Sequence, residues 1–120
     1  MESIKKQSVA VIGLGFVGLP LCQRFLKTGN TVYGIDIDQQ KLKNISKGEV
    51  QNPDIDNLYL CKCIAQGQFS LHNSAEGVTD ANVIIICVPT PLNEQHTPDL
   101  TYVKEAVTSI LPFLKENQLI

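Results

Sequence analysis

The chain has 120 residues, of which 43% are hydrophobic, 18% are charged and 6% are aromatic. This length allows one domain with its own core, and the composition is that of an ordinary α/β domain. The formal net charge of −2 argues against nucleic acid or an anionic membrane surface as the main partner. The N-terminal stretch Met1–Ser8 is polar, and no apolar run reaches the roughly 18 residues of a membrane span. We therefore expect a cytoplasmic protein without a signal peptide or membrane anchor.

The first half of the chain alternates strand and helix patterns. Ser8–Gly13 is short, apolar and rich in β-branched residues, which predicts a strand buried on both faces. A helical recurrence follows over 16–28, and Gly29-Asn30 ends it. The apolar residues of this helix are Val17, Leu21, Cys22, Phe25 and Leu26. Thr31–Asp36 is the second predicted strand.

Two helices are predicted after the second strand. Asp38 can cap a helix that runs through Ile45 and ends at the break formed by 46–48. The stretch 54–67 suits another helix. Its candidate inward-facing residues are Ile55, Leu58, Tyr59 and Ile64.

The second half continues the same alternation. Its predicted elements are a short strand over 69–72, an apolar strand over 81–88, a helix over 101–114 and the opening of a further strand at 119–120. Pro89 and Pro91 end the long strand, and Pro112 should distort the last turn of the helix. Strands that alternate with helices imply parallel pairing and right-handed crossovers. The predicted fold over 1–120 is therefore α/β, a doubly wound parallel sheet cut short after the fourth strand and its helix.

The four cysteines predict neither a metal site nor a catalytic thiol. Cys22 and Cys87 fall within apolar stretches and are interpreted as small buried hydrophobes. Cys61 and Cys63 form a C-x-C pair, and no second Cys/His pair follows that would close a tetrahedral zinc site. A thiolate at Cys87, inside an apolar strand, would be costly.

The glycines Gly13, Gly15 and Gly18 form a G-x-G-x-x-G motif between the first strand and the first helix. Gly13 permits a tight turn, Gly15 lets the backbone approach a pyrophosphate, and Gly18 allows the helix to pack close to the strand. A diphosphate would then lie at the helix N-terminus, where free N–H groups and the helix dipole favour it. The alternative is a plain strand–turn–helix that uses glycine for geometry alone. The motif in this context predicts a Rossmann-type dinucleotide site.

Asp36 follows the second strand, 23 residues after Gly13. That is near the spacing of roughly 20 residues for a carboxylate that binds the adenosine ribose. The same carboxylate would repel a 2′-phosphate, so NAD is favoured over NADP. Lys41 could approach the ribose or a phosphate, or be merely a solvated lysine, and Asp36 could be a simple turn aspartate.

The segment Val88-Pro-Thr-Pro-Leu92 follows the long apolar strand. Ligands of open α/β sheets bind at the carboxyl ends of the strands, so a stiff loop there would place Thr90 at the rim of the cofactor crevice. The alternative is that the prolines simply end the strand and that 93–98 is a surface loop. The residues alone leave both interpretations open.

Several of these segments together resemble the UDP-glucose/GDP-mannose dehydrogenase family. The matching segments are Val9–Leu21, Gly34–Asp38 with Lys41, Val88–Leu92 and Pro98–Leu100. The resemblance covers nearly the whole chain, but only the N-terminal NAD-binding domain of that family. It is greatest to the branch that acts on UDP-N-acetylated hexosamines, either UDP-N-acetylglucosamine or UDP-N-acetylmannosamine, and UDP-glucose stays open as a substrate. The residues that we predict to bind NAD are Gly13, Leu14, Gly15, Phe16, Val17, Gly18, Asp36, Ile37, Lys41, Val88, Pro89 and Thr90.

The resemblance also implies a reaction. In that family the C6 alcohol of a nucleotide sugar is oxidised to a carboxylate with two NAD⁺, through a thioester on a cysteine nucleophile. None of the cysteines in this chain aligns with that nucleophile, so the resemblance implies a cofactor domain that is inactive alone. The central helix through which family members dimerise and the C-terminal UDP-binding domain are expected outside 1–120.

Two other interpretations stay open at this point. One is a β-hydroxyacid-type dehydrogenase, which shares the glycine motif but fits the Val-Pro-Thr-Pro segment poorly. The other is a non-catalytic nucleotide-sensing Rossmann module, whose length fits well although such a module has no use for the stiff loop.

Overall fold

The computed structural model describes residues 6–120, and in this range four parallel strands form one sheet in the order β3-β2-β1-β4. The strands are β1 (Ser8–Ile12), β2 (Thr31–Ile35), β3 (Phe69–His72) and β4 (Val83–Ile86). The helices are α1 (Gly18–Lys27), α2 (Gln39–Lys47), α3 (Asn57–Ala65) and α4 (Thr101–Ile110), with short 3₁₀ helices at Ala75–Val78 and Leu111–Phe113. The predicted Rossmann-type parallel sheet is confirmed. Most of the polar stretch Met1–Ser8 lies outside the described residues.

The central strand β1 explains the strongly apolar pattern of its segment. Ala10 pairs with Tyr33 of β2 on one side and with Ile84 of β4 on the other. Val9, Ala10 and Val11 are at most 2% exposed, because helices cover both faces of the sheet. A strand in this position has no polar face, so its sequence shows an apolar run instead of alternation.

Separate apolar clusters cover the two faces of the sheet. On one face, α1, α2 and α3 contribute Leu26, Ile45 and Leu60. On the other, α4 contributes Ala106 and Ile110. The carboxyl ends of all four strands therefore open onto one edge, between α1 on one face and α4 on the other.

Some predicted inward-facing residues lie outside the core. The helix predicted to start at Phe16 begins at Gly18, since Gly13–Val17 is needed as a turn over the sheet edge, and Val17 is 70% exposed. Leu58 is 85% exposed, so its predicted place in the core is wrong. Asp56 caps α3 by accepting a hydrogen bond from the Tyr59 amide, and this start turns Leu60 and Cys63 inward instead.

The structure alters the last predicted helix and the strand opening predicted after it. The helix predicted over 101–114 ends at Ile110 and continues as a 3₁₀ helix that contains Pro112. Leu119 forms a parallel bridge with Val83, and its carbonyl accepts a hydrogen bond of 2.7 Å from the Ile84 amide. This single bridge lies beside β4, where the sequence predicts the opening of a further strand. No helix among residues 6–120 has the length and apolar character that crossing a membrane requires.

Candidate functional site

The turn after β1 has a backbone conformation that requires glycine at its first position. Gly13 has φ of +97°, and its amide donates a hydrogen bond of 2.8 Å to the Ile35 carbonyl. A Cβ atom on Gly13 would lie 2.4 Å from the carbonyl oxygen of Cys87. The turn is therefore pressed against the ends of both β2 and β4, and only glycine fits there.

Gly18 has a packing role at the other end of the turn. A Cβ atom at this position would lie 1.7 Å from the carbonyl oxygen of Gly13. The first turn of α1 therefore contacts the backbone that leads into it, which places the helix axis close to β1.

Gly15 differs from both, because within residues 6–120 no heavy atom beyond its two chain neighbours lies within 4 Å of its ideal Cβ position. Its φ also lies outside the left-handed region. Neither backbone strain nor internal packing explains a glycine here. The space that its missing side chain leaves open faces the cleft, as a site for close approach of a phosphate requires.

The N-terminus of α1 is suited to an anion. Val17 at the N-cap position makes no side-chain capping hydrogen bond, and the first turn carries no acidic side chain. Phe16 is 86% exposed, so the part of the turn just before α1 is open to solvent. The amide groups and positive dipole end of the helix are thus directed at the cleft.

Asp36 is the only buried charged residue among those described. Its Oδ2 accepts a hydrogen bond of 2.9 Å from the Leu14 amide, and its Oδ1 accepts one of 2.9 Å from the Asp38 amide. Lys41 Nζ lies 3.4 Å from Oδ2. Each carboxylate oxygen still has a lone pair, so the group can hold the glycine turn and accept from a ligand hydroxyl.

A cleft of about 990 Å³ connects these features along the carboxyl edge of the sheet. Eleven of the twelve predicted residues line it: Gly13, Leu14, Gly15, Phe16, Val17, Asp36, Ile37, Lys41, Val88, Pro89 and Thr90. The twelfth, Gly18, lies beneath the turn. The volume is at the upper end of the range of about 300–1,000 Å³ for ligand sites, as an extended dinucleotide would need.

Two further parts of the cleft wall were not predicted from the sequence. They are the segment Asn73–Ala75 after β3 and four residues of α4, namely Tyr102, Glu105, Ala106 and Ser109. The first follows from topology, because β3 ends at the same sheet edge as β1, β2 and β4. The α4 residues form no recognisable sequence motif. Their place in the cleft wall depends on how α4 packs across the sheet, which local sequence does not determine.

The segment after β4 combines the two interpretations that the sequence leaves open. Val88, Pro89 and Thr90 line the cleft. The chain then forms a closed surface loop, in which the Asn93 amide donates to the Thr97 carbonyl and Leu92 bridges Pro98. The prolines follow the end of the strand at Ile86, and Val88, Pro89 and Thr90 still form the rim of the cleft.

The cysteines near the site are not activated thiols. Burial raises the pKa of the Cys22 thiol far above its ordinary value, and it also raises the pKa of Cys87. β4 ends at Ile86, so Cys87 lies just past the strand rather than within it. Within residues 6–120 no cluster of three or more His, Cys, Asp or Glu side chains is arranged to hold a metal ion.

Comparison with known proteins identifies the family. Residues 7–120 match the UDP-glucose/GDP-mannose dehydrogenase family, NAD binding domain. The chain belongs to this family. The open space at Gly15, the uncapped α1 N-terminus and the buried Asp36 carboxylate fit NAD, which is the cofactor of this family domain.

Individual members share the sequence and the fold of this domain. The UDP-N-acetyl-D-mannosamine dehydrogenase of Escherichia coli K12 is 38% identical over 113 residues, which are 94% of this chain and 26% of the relative. That of Methanococcus maripaludis C7 is 39% identical over 122 residues, with 98% and 27% coverage. The structure of UDP-D-ManNAc dehydrogenase from Pyrococcus horikoshii superimposes with a TM-score of 0.84 at 32% identity, over 93% of this chain and 27% of that one. The chain therefore spans about a quarter of the length of these relatives.

Proposed function

We propose that this chain is the NAD-binding domain of a UDP-sugar 6-dehydrogenase and that its cleft holds NAD in one defined orientation. The main support for this proposal is the continuous cleft that joins the glycine turn to Asp36 at one end and to Thr90 at the other. The turn and the N-terminus of α1 bind the diphosphate. In this proposal the adenosine lies over β2 and the nicotinamide over β4, a placement that the order of the strands supports.

Each part of the cleft has a distinct task in this proposal. Asp36 accepts hydrogen bonds from the adenosine ribose hydroxyls and excludes a 2′-phosphate by charge repulsion. Lys41 is paired with Asp36 and lies close enough to approach the ribose or a phosphate. Ile37 offers an apolar contact beyond the ribose. Thr90, held between two prolines, offers a hydroxyl near the nicotinamide ribose.

The substrate of the whole enzyme is proposed to be a UDP-N-acetylhexosamine, with UDP-N-acetylmannosamine as the first candidate. The named relatives of 38% and 39% identity, which act on UDP-N-acetylmannosamine by name, support this choice. When bound, NAD⁺ would supply the hydride acceptor for this oxidation, and two NAD⁺ would be needed to take the C6 alcohol to the carboxylate. The product, a uronic acid, suits polysaccharide biosynthesis in the cytoplasm.

The described residues supply the cofactor half of the reaction only. Cys22 and Cys63 are buried in the core, Cys61 lies on α3 away from the cleft, and Cys87 has a raised pKa. We therefore propose that this chain alone binds NAD without turnover. In the longer protein, other segments add the nucleophile and most of the UDP-sugar contacts, and the enzyme forms a homodimer or larger oligomer.

Calorimetric titration with NAD, NADP and ATP tests the proposal. We expect NAD to bind best. In Asp36→Ala, the NAD affinity should fall roughly ten- to a hundredfold, because hydrogen bonds to a charged group are lost. The ratio of NAD to NADP affinity should also approach one, since Lys41 is released to meet a 2′-phosphate.

The ratio of NAD to NADP affinity is measured on one sample of the variant, so a partly unfolded fraction affects both affinities equally and cancels. This matters because Asp36 also accepts from the Leu14 and Asp38 amides, so the substitution should lower stability as well. A preference for ATP over NAD in the original protein would contradict the dehydrogenase assignment and favour a nucleotide-sensing module. An unchanged NAD/NADP ratio in Asp36→Ala would contradict the role given to this carboxylate.

A further inference from the structure

The wall of the cleft formed by α4 carries a carboxylate that has no role in the proposed contacts with the diphosphate and the ribose. Tyr102, Glu105, Ala106 and Ser109 line the cleft, and their spacing places them on one face of the helix. Ala106 is buried, and the Ser109 hydroxyl donates to the Ala106 carbonyl at 2.7 Å. Glu105 is exposed and has no ion pair within residues 6–120. Its carboxylate is therefore available to a ligand in the cleft.

The packing of α4 shows which end of the cleft Glu105 faces. α4 packs on the 3₁₀ helix Ala75–Val78, which itself packs on β2 and β3. Ala106, the neighbour of Glu105, belongs to the apolar cluster that contains Val78 and residues of β1, β2 and β4. α4 therefore adjoins the part of the cleft lined by Ala75 near the ends of β2 and β3, and Glu105 lies on the cleft-lining face of α4.

We propose that Glu105 recognises the adenine base of the cofactor by accepting a hydrogen bond from its N6 amino group. The inference rests on the NAD orientation proposed above, in which Asp36 holds the adenosine ribose. From that ribose the base extends into the space between Ile37 and α4. An ionised carboxylate only accepts hydrogen bonds, and adenine presents a donor at position 6 where hypoxanthine and guanine present an acceptor oxygen. Glu105 is then a determinant of base specificity.

Nicotinamide hypoxanthine dinucleotide, which carries the O6 oxygen in place of the amino group, tests this assignment against NAD by calorimetry. The original protein should bind NAD roughly three- to tenfold more tightly than the hypoxanthine analogue, the range of one hydrogen bond. In Glu105→Ala this ratio should fall towards one through weaker NAD binding. In Glu105→Gln the side-chain amide offers a donor to O6, so the analogue should gain affinity.

Glu116→Gln is the matched control, because it removes one exposed carboxylate outside the cleft. It should keep the original ratio. Equal affinities for both dinucleotides in the original protein, or an unchanged ratio in both Glu105 variants, would overturn the assignment while NAD binding itself stands. If NAD does not bind to the original protein at all, the proposed function fails, and this inference fails with it.

Discussion

At the scale of single residues, Gly15 and Gly18 lie three positions apart and serve different purposes. Gly18 has no room for a side chain, because the carbonyl of Gly13 occupies the place of its Cβ atom. Gly15 has room for one as far as the protein is concerned. The motif predicts these two roles, and the surroundings of each position agree with them: Gly18 is fixed by packing, and the space beside Gly15 is open.

This difference predicts opposite results for two alanine substitutions. Gly18→Ala should lower the free energy of unfolding by roughly 3 kcal/mol or more, since a severe overlap forces the backbone to move. Gly15→Ala should change it by less than about 1 kcal/mol and still weaken NAD binding at least roughly tenfold, because the methyl group occupies the phosphate position.

Urea unfolding and NAD titration of both variants check this prediction. Gly67→Ala serves as a reference, because its Cβ atom also meets no neighbour but its φ is +77°. Its loss of stability measures the cost of a side chain at a positive φ without any steric overlap. Normal NAD affinity in Gly15→Ala would mean that the phosphates bind elsewhere.

At the scale of elements, local signals predicted the strands and the helix caps well, and tertiary contacts decided the rest. The apolar run of β1 indicates a strand buried on both faces, that of β4 indicates a strand, and the Asp38 cap follows from side-chain chemistry alone. The starts of α1 and α3 do not, because Phe16 and Val17 are apolar residues in an exposed turn. The same holds for Leu58, whose exposure depends on how α3 is rotated. For the site, residues in the glycine motif were predictable, whereas Glu105 depends on the packing of α4.

The cap of α2 provides a prediction at this scale. Asp38 accepts hydrogen bonds from the amides of Gln40 and Lys41, at 3.0 and 3.2 Å. Asp38→Ala should therefore lower the free energy of unfolding by about 1 kcal/mol. Gln39→Ala changes the adjacent exposed residue without touching the cap, and should have little effect in the same urea titration. Equal losses in the two variants would show that the capping bonds contribute nothing measurable.

At the scale of the whole molecule, buried thiols make stability depend on pH in the alkaline range. Burial raises the pKa of Cys22 in the folded protein, and that of Cys87 as well. Above about pH 8.5, the ordinary value of a thiol, the unfolded chain loses these protons while the folded protein keeps them. Stability is therefore complete below that pH and falls as the pH rises through the alkaline range.

Urea unfolding between pH 8 and 10.5 measures this effect. In Cys22→Ala, the decline should be shallower by up to about 1.4 kcal/mol per pH unit, the contribution of one proton. Val11→Ala removes buried methyl groups from the same core without removing a thiol, and should lower stability equally at every pH. Parallel curves for the original protein and Cys22→Ala would contradict the prediction.

The contacts of Gly13 also determine how much of the chain must be synthesised before the cofactor can bind. The glycine motif is complete once the ribosome has added Gly18, but the turn rests on the carbonyls of Ile35 and Cys87. The far wall of the cleft comes from α4, which is made later still. A nascent chain therefore carries the whole motif long before it has a binding site. Cofactor binding then favours only chains whose last helix has already packed, so NAD stabilises the finished domain rather than its folding intermediates.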